Sequence, residues 1–260
     1  MIKSAFCYVF GLDNLREKIL RVKAEGDFDG IEFWHNIVRD ADKDRLREYC
    51  DEAGLAIAQV CPYFDFTAGP AECDRTLELG RAYIQIAQTL GNPLIRVFTG
   101  HVKDTDATPE QWQAAFSGLQ TLCDEAADFG VRFCLEIGHG LMFSSASVLR
   151  LLEGVDRPNL GVNIQVLLEG EDLWYTLEQL GPYAIHMHAH NWVGRLGGHE
   201  LTFLGSGLLD YEEFLTKLLG HGYDGYISSE HVDHYAKHDP WVTAAVDGRT
   251  LAALKKKLNG

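Results

Sequence analysis

The sequence predicts an α/β fold in which eight parallel strands alternate with helices and close into a single-domain (β/α)8 TIM barrel. The first observation behind this prediction is the length of 260 residues, the usual size of one such barrel. The second is a repeated pattern in which an amphipathic stretch ends near Gly or Asp-Gly and a short apolar run follows. The third is that no Gly-rich phosphate loop follows the first apolar run, which disfavours an open doubly wound sheet. No linker or composition shift divides residues 1–260, so we expect one domain.

The short apolar runs are rich in Val, Ile and Phe and are too brief for helices, which is typical of buried parallel strands. The predicted strands lie near residues 2–8, 30–33, 56–60, 94–98, 132–137, 160–164, 184–188 and 226–229. The predicted helices span residues 12–25, 42–53, 70–90, 108–129, 145–154, 172–180, 211–219 and 241–259. Thr108-Pro109-Glu110-Gln111 predicts a capping box with proline at the first helical position.

The composition limits the possible partners. The formal net charge of −15 argues against binding a nucleic-acid backbone or an anionic membrane surface. The amino-terminal segment reaches Asp13 too soon for a signal peptide, and no window is long and apolar enough to span a membrane. The six cysteines are scattered without a CxxC pair, which indicates buried, reduced thiols. We therefore expect a cytoplasmic protein.

Three histidines alternate in the segment AIHMHAHN of residues 184–191, namely His186, His188 and His190. On an extended strand, alternate residues point to one face, so this segment presents three imidazoles together. Any one of them alone is more simply explained as a solvated or core histidine. Three in register predict a metal site, because imidazole is the commonest side-chain ligand for divalent transition metals.

Two carboxylates complete the predicted site. Catalytic groups of a (β/α)8 barrel lie at the carboxyl ends of its strands. Glu136 follows the apolar run of the fifth strand, and Glu230 ends the eighth. An oxygen-rich set of carboxylates and histidine suits Mn²⁺, Mg²⁺ or Co²⁺ and also accepts Zn²⁺.

Six motifs occur in order along nearly the whole chain: FDGIE at 28–32, LE at 135–136, PNLGVNI at 158–164, HMHAHN at 186–191, LGSGLLD at 204–210, and GYDGY at 222–226 with Glu230. Together they resemble motifs of the sugar phosphate isomerase/epimerase group of the xylose isomerase-like TIM barrels. The fold also includes apurinic-site endonucleases, which the net charge of −15 disfavours.

The resemblance implies one divalent metal held by Glu, Asp, His and Glu. Glu136, His188 and Glu230 occupy three of these positions, and Gln165 stands at the aspartate position. Asn163, two residues earlier, is the alternative ligand. An amide oxygen can ligate a hard cation but adds no charge, so the site has one carboxylate fewer than the family pattern. His190 replaces a lysine of that pattern.

The resemblance also implies an isomerase or epimerase of a sugar or sugar-like keto substrate that works through a metal-stabilised cis-enediolate, with Glu136 and Glu230 as the proton-transferring pair. Further side chains are expected to contact the carbohydrate-like substrate: Trp34, His101, His139, His190 and Arg195. A lyase or dehydratase acting on a keto-sugar or polyol shares the first proton abstraction and is one alternative. A non-catalytic sugar-binding barrel with a degraded metal site is the other. Whether the substrate is phosphorylated and whether the chain forms a homo-oligomer stay open.

Overall fold

The barrel strands appear where the sequence predicts them. The computed structural model describes residues 1–194, 200–230 and 238–259. Its strands are β1 (Lys3–Tyr8), β2 (Gly30–Trp34), β3 (Ala56–Cys61), β4 (Leu94–Val97), β5 (Phe133–Glu136), β6 (Leu160–Gln165), β7 (Ala184–Ala189), β8 (Asn191–Val193), β9 (Glu200–Thr202) and β10 (Tyr226–Ser229). Eight of them close into a barrel in the order β1-β10-β7-β6-β5-β4-β3-β2. The predicted (β/α)8 barrel is therefore confirmed.

The α-helices lie between successive barrel strands and after the last one. They are α1 (Leu15–Gly26), α2 (His35–Asp40), α3 (Lys43–Ala53), α4 (Pro70–Thr89), α5 (Pro109–Ala127), α6 (Ser145–Val155), α7 (Leu173–Leu180), α8 (Tyr211–Gly220) and α9 (Pro240–Leu258). The capping box at the start of α5 is confirmed, because the Thr108 hydroxyl accepts from the Gln111 N–H and the Gln111 side chain accepts from the Thr108 N–H. Helix α2 and the antiparallel β8–β9 pair were not predicted. Helix α2 has six residues, fewer than two helical turns, and β8 and β9 have three residues each, so none of them is long enough to show its hydrophobic period.

By their internal contacts, the residues form two compact units, which are Met1–Ala58 with Ile185–Gly260, and Gln59–Ala184. In the first unit, β1 pairs in parallel with β2 and with β10, and β10 pairs with β7. The register places Ser228 of β10 beside His188 of β7. Polar side chains of neighbouring strands therefore lie at the same level.

In the second unit, β4 pairs in parallel with β3 and β5, and β5 pairs with β6. The register places Glu136, the last residue of β5, beside Asn163 of β6. The apolar neighbours on these strands, such as Ile95, Phe133 and Val162, are fully buried. Hydrophobic burial thus fixes the strands, and the polar residues at their carboxyl ends are held in position by that packing.

Helix α9 is tied to the barrel through Asp247. This carboxylate is 3% exposed and accepts a hydrogen bond from the Ser229 hydroxyl at 2.7 Å and from the Leu204 N–H at 2.9 Å. Burial raises the pKa of Asp247 from 3.8 to about 6. The folded protein therefore prefers the protonated form of this side chain more than the unfolded chain does.

Asp247→Asn should change how stability depends on pH. Because the folded pKa is raised, the contribution of Asp247 to stability is full below the unfolded value of 3.8 and is lost as pH rises through about 6. The amide keeps an acceptor for Leu204 and a donor for Ser229 and does not titrate. The difference in free energy of unfolding, variant minus wild type, should rise by on the order of 2 kcal/mol between about pH 4 and about pH 7. Urea unfolding across this pH range measures the difference, and Asp106→Asn, a change at an exposed aspartate, is the control. If the stabilities of Asp247→Asn and wild type change in parallel with pH, the raised pKa of Asp247 is contradicted.

Gly100 lies just after β4 at a point where the backbone has no room for a side chain. Its φ is +116°, and a Cβ there would lie 2.1 Å from Asp65 Oδ1 and 2.3 Å from Thr67 Oγ1. Asp65 Oδ1 accepts hydrogen bonds from the Thr67 N–H at 2.7 Å, the Thr67 hydroxyl at 2.8 Å and the Ala68 N–H at 3.1 Å. Any side chain at Gly100 must displace this hydrogen-bonded turn.

Gly100→Ala should destabilise the fold by about 3 kcal/mol, which combines backbone strain with disrupted hydrogen bonds. Gly170→Ala is the matched control, because Gly170 has a φ of +83° with nothing within 4 Å of a built Cβ. We expect that control to cost only about 1 kcal/mol of strain. Thermal or urea unfolding compares the two variants, and equal losses would show that the Asp65 contact does not matter.

Candidate metal and acid–base site

The first unit contains a buried cluster of a carboxylate and two imidazoles. His186 and His188 on β7 are fully buried, and Glu32 on β2 is 2% exposed. Glu32 Oε2 lies 3.0 Å from His186 Nε2, and Glu32 Oε1 lies 3.1 Å from His188 Nε2. The ligand atoms of these three residues all lie within 4.8 Å of one another, so the group could hold a metal ion. The Ser228 hydroxyl adds a contact at 3.0 Å from His186 Nε2.

The Glu32 carboxylate is held in its charged form. Burial alone would raise its pKa, but the positive charges and hydrogen bonds of His188 and His186 outweigh burial and hold the pKa well below its usual range. Glu32 was not among the predicted site residues. The available signal was a charged residue inside the apolar run of the second strand, which a buried position allows only when the charge is paired.

Glu230 forms the other side of the histidine group. Its Oε2 atom lies 3.1 Å from His188 Nδ1 and 2.7 Å from His190 Nε2. Burial would raise the pKa of Glu230, yet His188 and His190 together hold it well below its usual range. His188 therefore has a carboxylate at each ring nitrogen, Glu32 on Nε2 and Glu230 on Nδ1.

This arrangement fits a divalent ion. Histidines that bind metals commonly donate their second ring N–H to a carboxylate, which fixes the orientation of the ring. Glu32 can serve that role on Nε2 of His188, which leaves Nδ1 of His188 and Oε2 of Glu230 as nitrogen and oxygen donors for an ion. The alternative donor set is Glu32, His186 and His188 itself.

His190 and Glu230 also line a pocket of the first unit, together with Ala189, Asn191, Leu201, Thr202, Phe203, Leu204, His238, Thr243 and Asp247. The Nδ1 atom of His190 is buried and, within the described part of the chain, has no hydrogen-bond partner. His190 Nε2 contacts Glu230, so Nδ1 is the ring atom left for a bound molecule. The pair can therefore pass a proton between a carboxylate and a ligand.

The segment after β7 is fixed by Asn191. Its amide group donates to the carbonyls of Leu204 at 2.6 Å and Leu209 at 3.0 Å, and its oxygen accepts from the N–H groups of Leu209 at 3.0 Å and Trp192 at 2.9 Å. The Tyr211 hydroxyl donates to the carbonyl of His190. Every hydrogen-bonding atom of the Asn191 side chain is thus used to hold the backbone beside His190.

The second unit contains the other predicted ligands around Glu136. Arg96 Nη1 lies 2.8 Å from Glu136 Oε2, and both side chains are almost fully buried. The amide nitrogens of Asn163 and Gln165 each donate to Glu136 at 3.3 Å. His139 Nε2 lies 3.8 Å from Glu136 Oε1. The predicted ligands Glu136 and Gln165, with the alternative Asn163, therefore form one cluster within this unit.

Arg96 was not predicted as a site residue, although a charged side chain within the apolar run LIRVF was a visible signal. It gives Glu136 a fixed positive partner. Gln165 adds a hydrogen-bond donor where an aspartate would bring a second negative charge next to Glu136. The Gln165 amide thus adds no charge beside Glu136, and its oxygen can still ligate a cation.

The remaining predicted substrate contacts lie in different surroundings. Trp34 ends β2, and its Nε1 donates to Cys7 Sγ at 2.7 Å. His101 and His139 are exposed after β4 and β5. Arg195 lies outside the described residues.

In the described ranges, no helix combines the length and the apolar character needed to cross a membrane.

Two curated relatives share the name 3-dehydroshikimate dehydratase. The protein from Bacillus anthracis is 26% identical over 183 residues, which covers 66% of this chain and 65% of that relative. The protein from Pseudomonas aeruginosa is 27% identical over 264 residues, which covers 94% of this chain and 40% of that relative. The chain thus spans less than two thirds of the length of either relative.

Solved structures are similar in fold. A D-allulose 3-epimerase from Methylomonas sp. aligns with a TM-score of 0.79 at 19% identity, over 97% of this chain and 98% of that one. A xylose isomerase-like TIM barrel protein from Mycobacterium smegmatis, solved in complex with magnesium, aligns with a TM-score of 0.75 at 18% identity, over 96% of this chain and 91% of that one. The family described as xylose isomerase-like TIM barrel matches residues 20–253. This match covers most of the sequence, and the chain belongs to the xylose isomerase-like TIM barrel family.

Proposed function

We propose that the chain is a divalent-metal-dependent enzyme that removes a proton from the carbon next to a carbonyl of a hydroxylated keto substrate and then releases the neighbouring hydroxyl as water. The observation that supports this most directly is the position of Glu230, whose Oε2 contacts both His188 at 3.1 Å and His190 at 2.7 Å. A carboxylate next to an imidazole provides a base and an acid in one place. Both residues of the Glu230–His190 pair line the same pocket.

We further propose His188 and Glu230 as metal ligands, with Glu136 and Gln165 as the other two that the family resemblance implies. When bound, a divalent ion polarises the substrate carbonyl and so acidifies the adjacent C–H bond. Mn²⁺, Co²⁺ or Mg²⁺ suits these oxygen-rich donors, and Zn²⁺ is the alternative. The magnesium complex of the Mycobacterium smegmatis protein supports a divalent ion in this family.

The chain's own residues account for the proton movements. Glu230 is ionised at neutral pH because its pKa lies well below its usual range, so it can accept the proton from the α carbon. The electrons of that C–H bond form the new double bond while the C–O bond to the β carbon breaks. His190, whose Nε2–H faces Glu230, gives the proton of its Nδ1–H to the departing hydroxyl, which leaves as water. Glu230 keeps the α proton until both groups exchange protons with solvent after the product leaves. No electrons are gained or lost in this elimination.

Elimination is proposed first because it requires an acid as well as a base, and the Glu230–His190 pair supplies both. The dehydratase names of the curated relatives support the same choice. The chain spans only part of the length of those relatives, so we propose, on their names alone, that it acts on 3-dehydroshikimate.

Epimerisation is the second candidate and is favoured by the second buried carboxylate, Glu136. An epimerase returns a proton to the same carbon from a second group, and Glu136 and Glu230 are the predicted proton-transferring pair. In the structure, Glu136 Oε2 is paired with Arg96 at 2.8 Å. The guanidinium of Arg96 cannot give a proton to a leaving group, whereas the imidazole of His190 beside Glu230 can.

Metal-loaded protein should release water from 3-dehydroshikimate, and His190→Gln should slow this release by about 10²–10⁴-fold, the usual contribution of a general acid–base group. Since Glu230 remains, the variant should still exchange the α proton with D₂O, which NMR follows together with product formation. His221→Gln, a change just beyond α8, is the control and should keep full activity. Exchange and inversion of D-allulose without any elimination would instead favour the epimerase.

Metal affinity should distinguish the two donor sets. His188→Ala should abolish Mn²⁺ binding, and Glu32→Gln should weaken it about 10–100-fold, because the histidine loses its orienting carboxylate. His186→Gln should leave binding nearly unchanged if the ion sits at His188 Nδ1 and Glu230. Titration of metal-stripped protein, followed by electron paramagnetic resonance, measures each affinity. Complete loss in His186→Gln would place the ion in the Glu32–His186–His188 cluster, and full retention in His188→Ala would reject both sets.

A further inference from the structure

Three ring side chains of the second unit contact one another just after consecutive strands. Tyr63 follows β3, Phe98 follows β4 and His139 follows β5. The rings of Tyr63 and Phe98 are stacked with centroids 5.5 Å apart and an interplanar angle of 15°. The rings of Phe98 and His139 meet edge to face at 5.4 Å and 65°. We call these three residues the ring surface.

Two of the three side chains of the ring surface are largely exposed to solvent. Tyr63 is 53% exposed, and the His139 side chain is 59% exposed. Large aromatic groups gain stability by burial, so grouped and exposed rings are typical of binding surfaces. The carboxyl ends of barrel strands are also where ligands of this fold bind. Both the exposure and the location therefore indicate a ligand.

Polar groups border the ring surface on one side. The guanidinium of Arg96 lies 5.2 Å from the centroid of Phe98, and the same group pairs with Glu136 at 2.8 Å. His139 Nε2 lies 3.8 Å from Glu136 Oε1, so one exposed imidazole belongs to both the rings and the polar cluster. A ligand here meets an apolar face and a hydrogen-bonding edge.

We propose that the ring surface of Tyr63, Phe98 and His139 binds a flat, unsaturated or aromatic ring that bears oxygen substituents. Such a ring has two apolar faces for stacking and a polar rim for His139. An open-chain polyol has hydroxyls on all sides and gains less from stacked rings. Binding of a flat ring does not depend on the proposed function. For the proposed reaction, which this part of the inference rests on, the ring surface favours a cyclic keto substrate over an open-chain sugar.

Binding of two matched probes to metal-free protein tests this inference without turnover or chelation. The probes are 3-hydroxybenzoate, which is flat, and 3-hydroxycyclohexanecarboxylate, which has the same substituents on a puckered ring. We expect isothermal titration calorimetry to show about tenfold tighter binding of the flat probe, which corresponds to about 1.4 kcal/mol. A wild-type ratio near one would overturn the inference.

Substitutions in the ring surface test whether its residues cause the preference for the flat probe over the puckered probe. Phe98→Leu and the more exposed Tyr63→Leu should each bring the ratio of the two affinities towards one, whereas Phe98→Tyr should keep it. Phe129→Leu is the matched control, because Phe129 is a 49% exposed phenylalanine that precedes β5 and lies outside the ring surface. An unchanged ratio in both leucine variants would reject the ring surface. If the ring preference is present but no substrate turns over, the proposed function fails and this inference stands.

Discussion

The contact between the Glu32 carboxylate and the His188 imidazole is the interaction on which the polar interior of the first unit depends. Removing charged groups from water costs several kcal/mol per ion, and only close opposite charges offset that cost. Glu32 is matched by His186 and His188, and Glu230 by His188 and His190. Each carboxylate has two imidazole partners and they share His188, so the loss of His188 would take one partner from both Glu32 and Glu230.

The second unit stabilises its buried carboxylate in a different way. Glu136 is paired with Arg96 and accepts from the amides of Asn163 and Gln165. A guanidinium does not release its proton in proteins, and amide groups do not titrate. Imidazoles exchange protons near neutral pH and bind metals. The imidazoles beside Glu230 can therefore exchange protons with it, whereas the guanidinium and amide partners of Glu136 only hold that carboxylate in position.

Sequence reasoning located the strands and the histidine group because both follow local patterns, an apolar run before polar residues and alternation along one strand. It did not identify Glu32 as a partner of His186, because 154 positions separate the two residues and only the closed strand order brings them together. Arg96 was overlooked for a related reason, since its partner Glu136 lies on the next strand. The β8–β9 pair has three residues in each strand, too few for a period to appear.

The four hydrogen bonds of Asn191 have a consequence for the thermodynamics of ligand binding. They involve the backbone at Trp192, Leu204 and Leu209, which keeps the neighbourhood of His190 ordered without a ligand. Ordering a loop or a side chain during association subtracts from affinity, and a preorganised site avoids that loss. Gly207 permits this arrangement, because a Cβ there would lie 2.0 Å from Asn191 Oδ1. The conformational entropy of this segment is therefore lost during folding rather than during each encounter with a ligand.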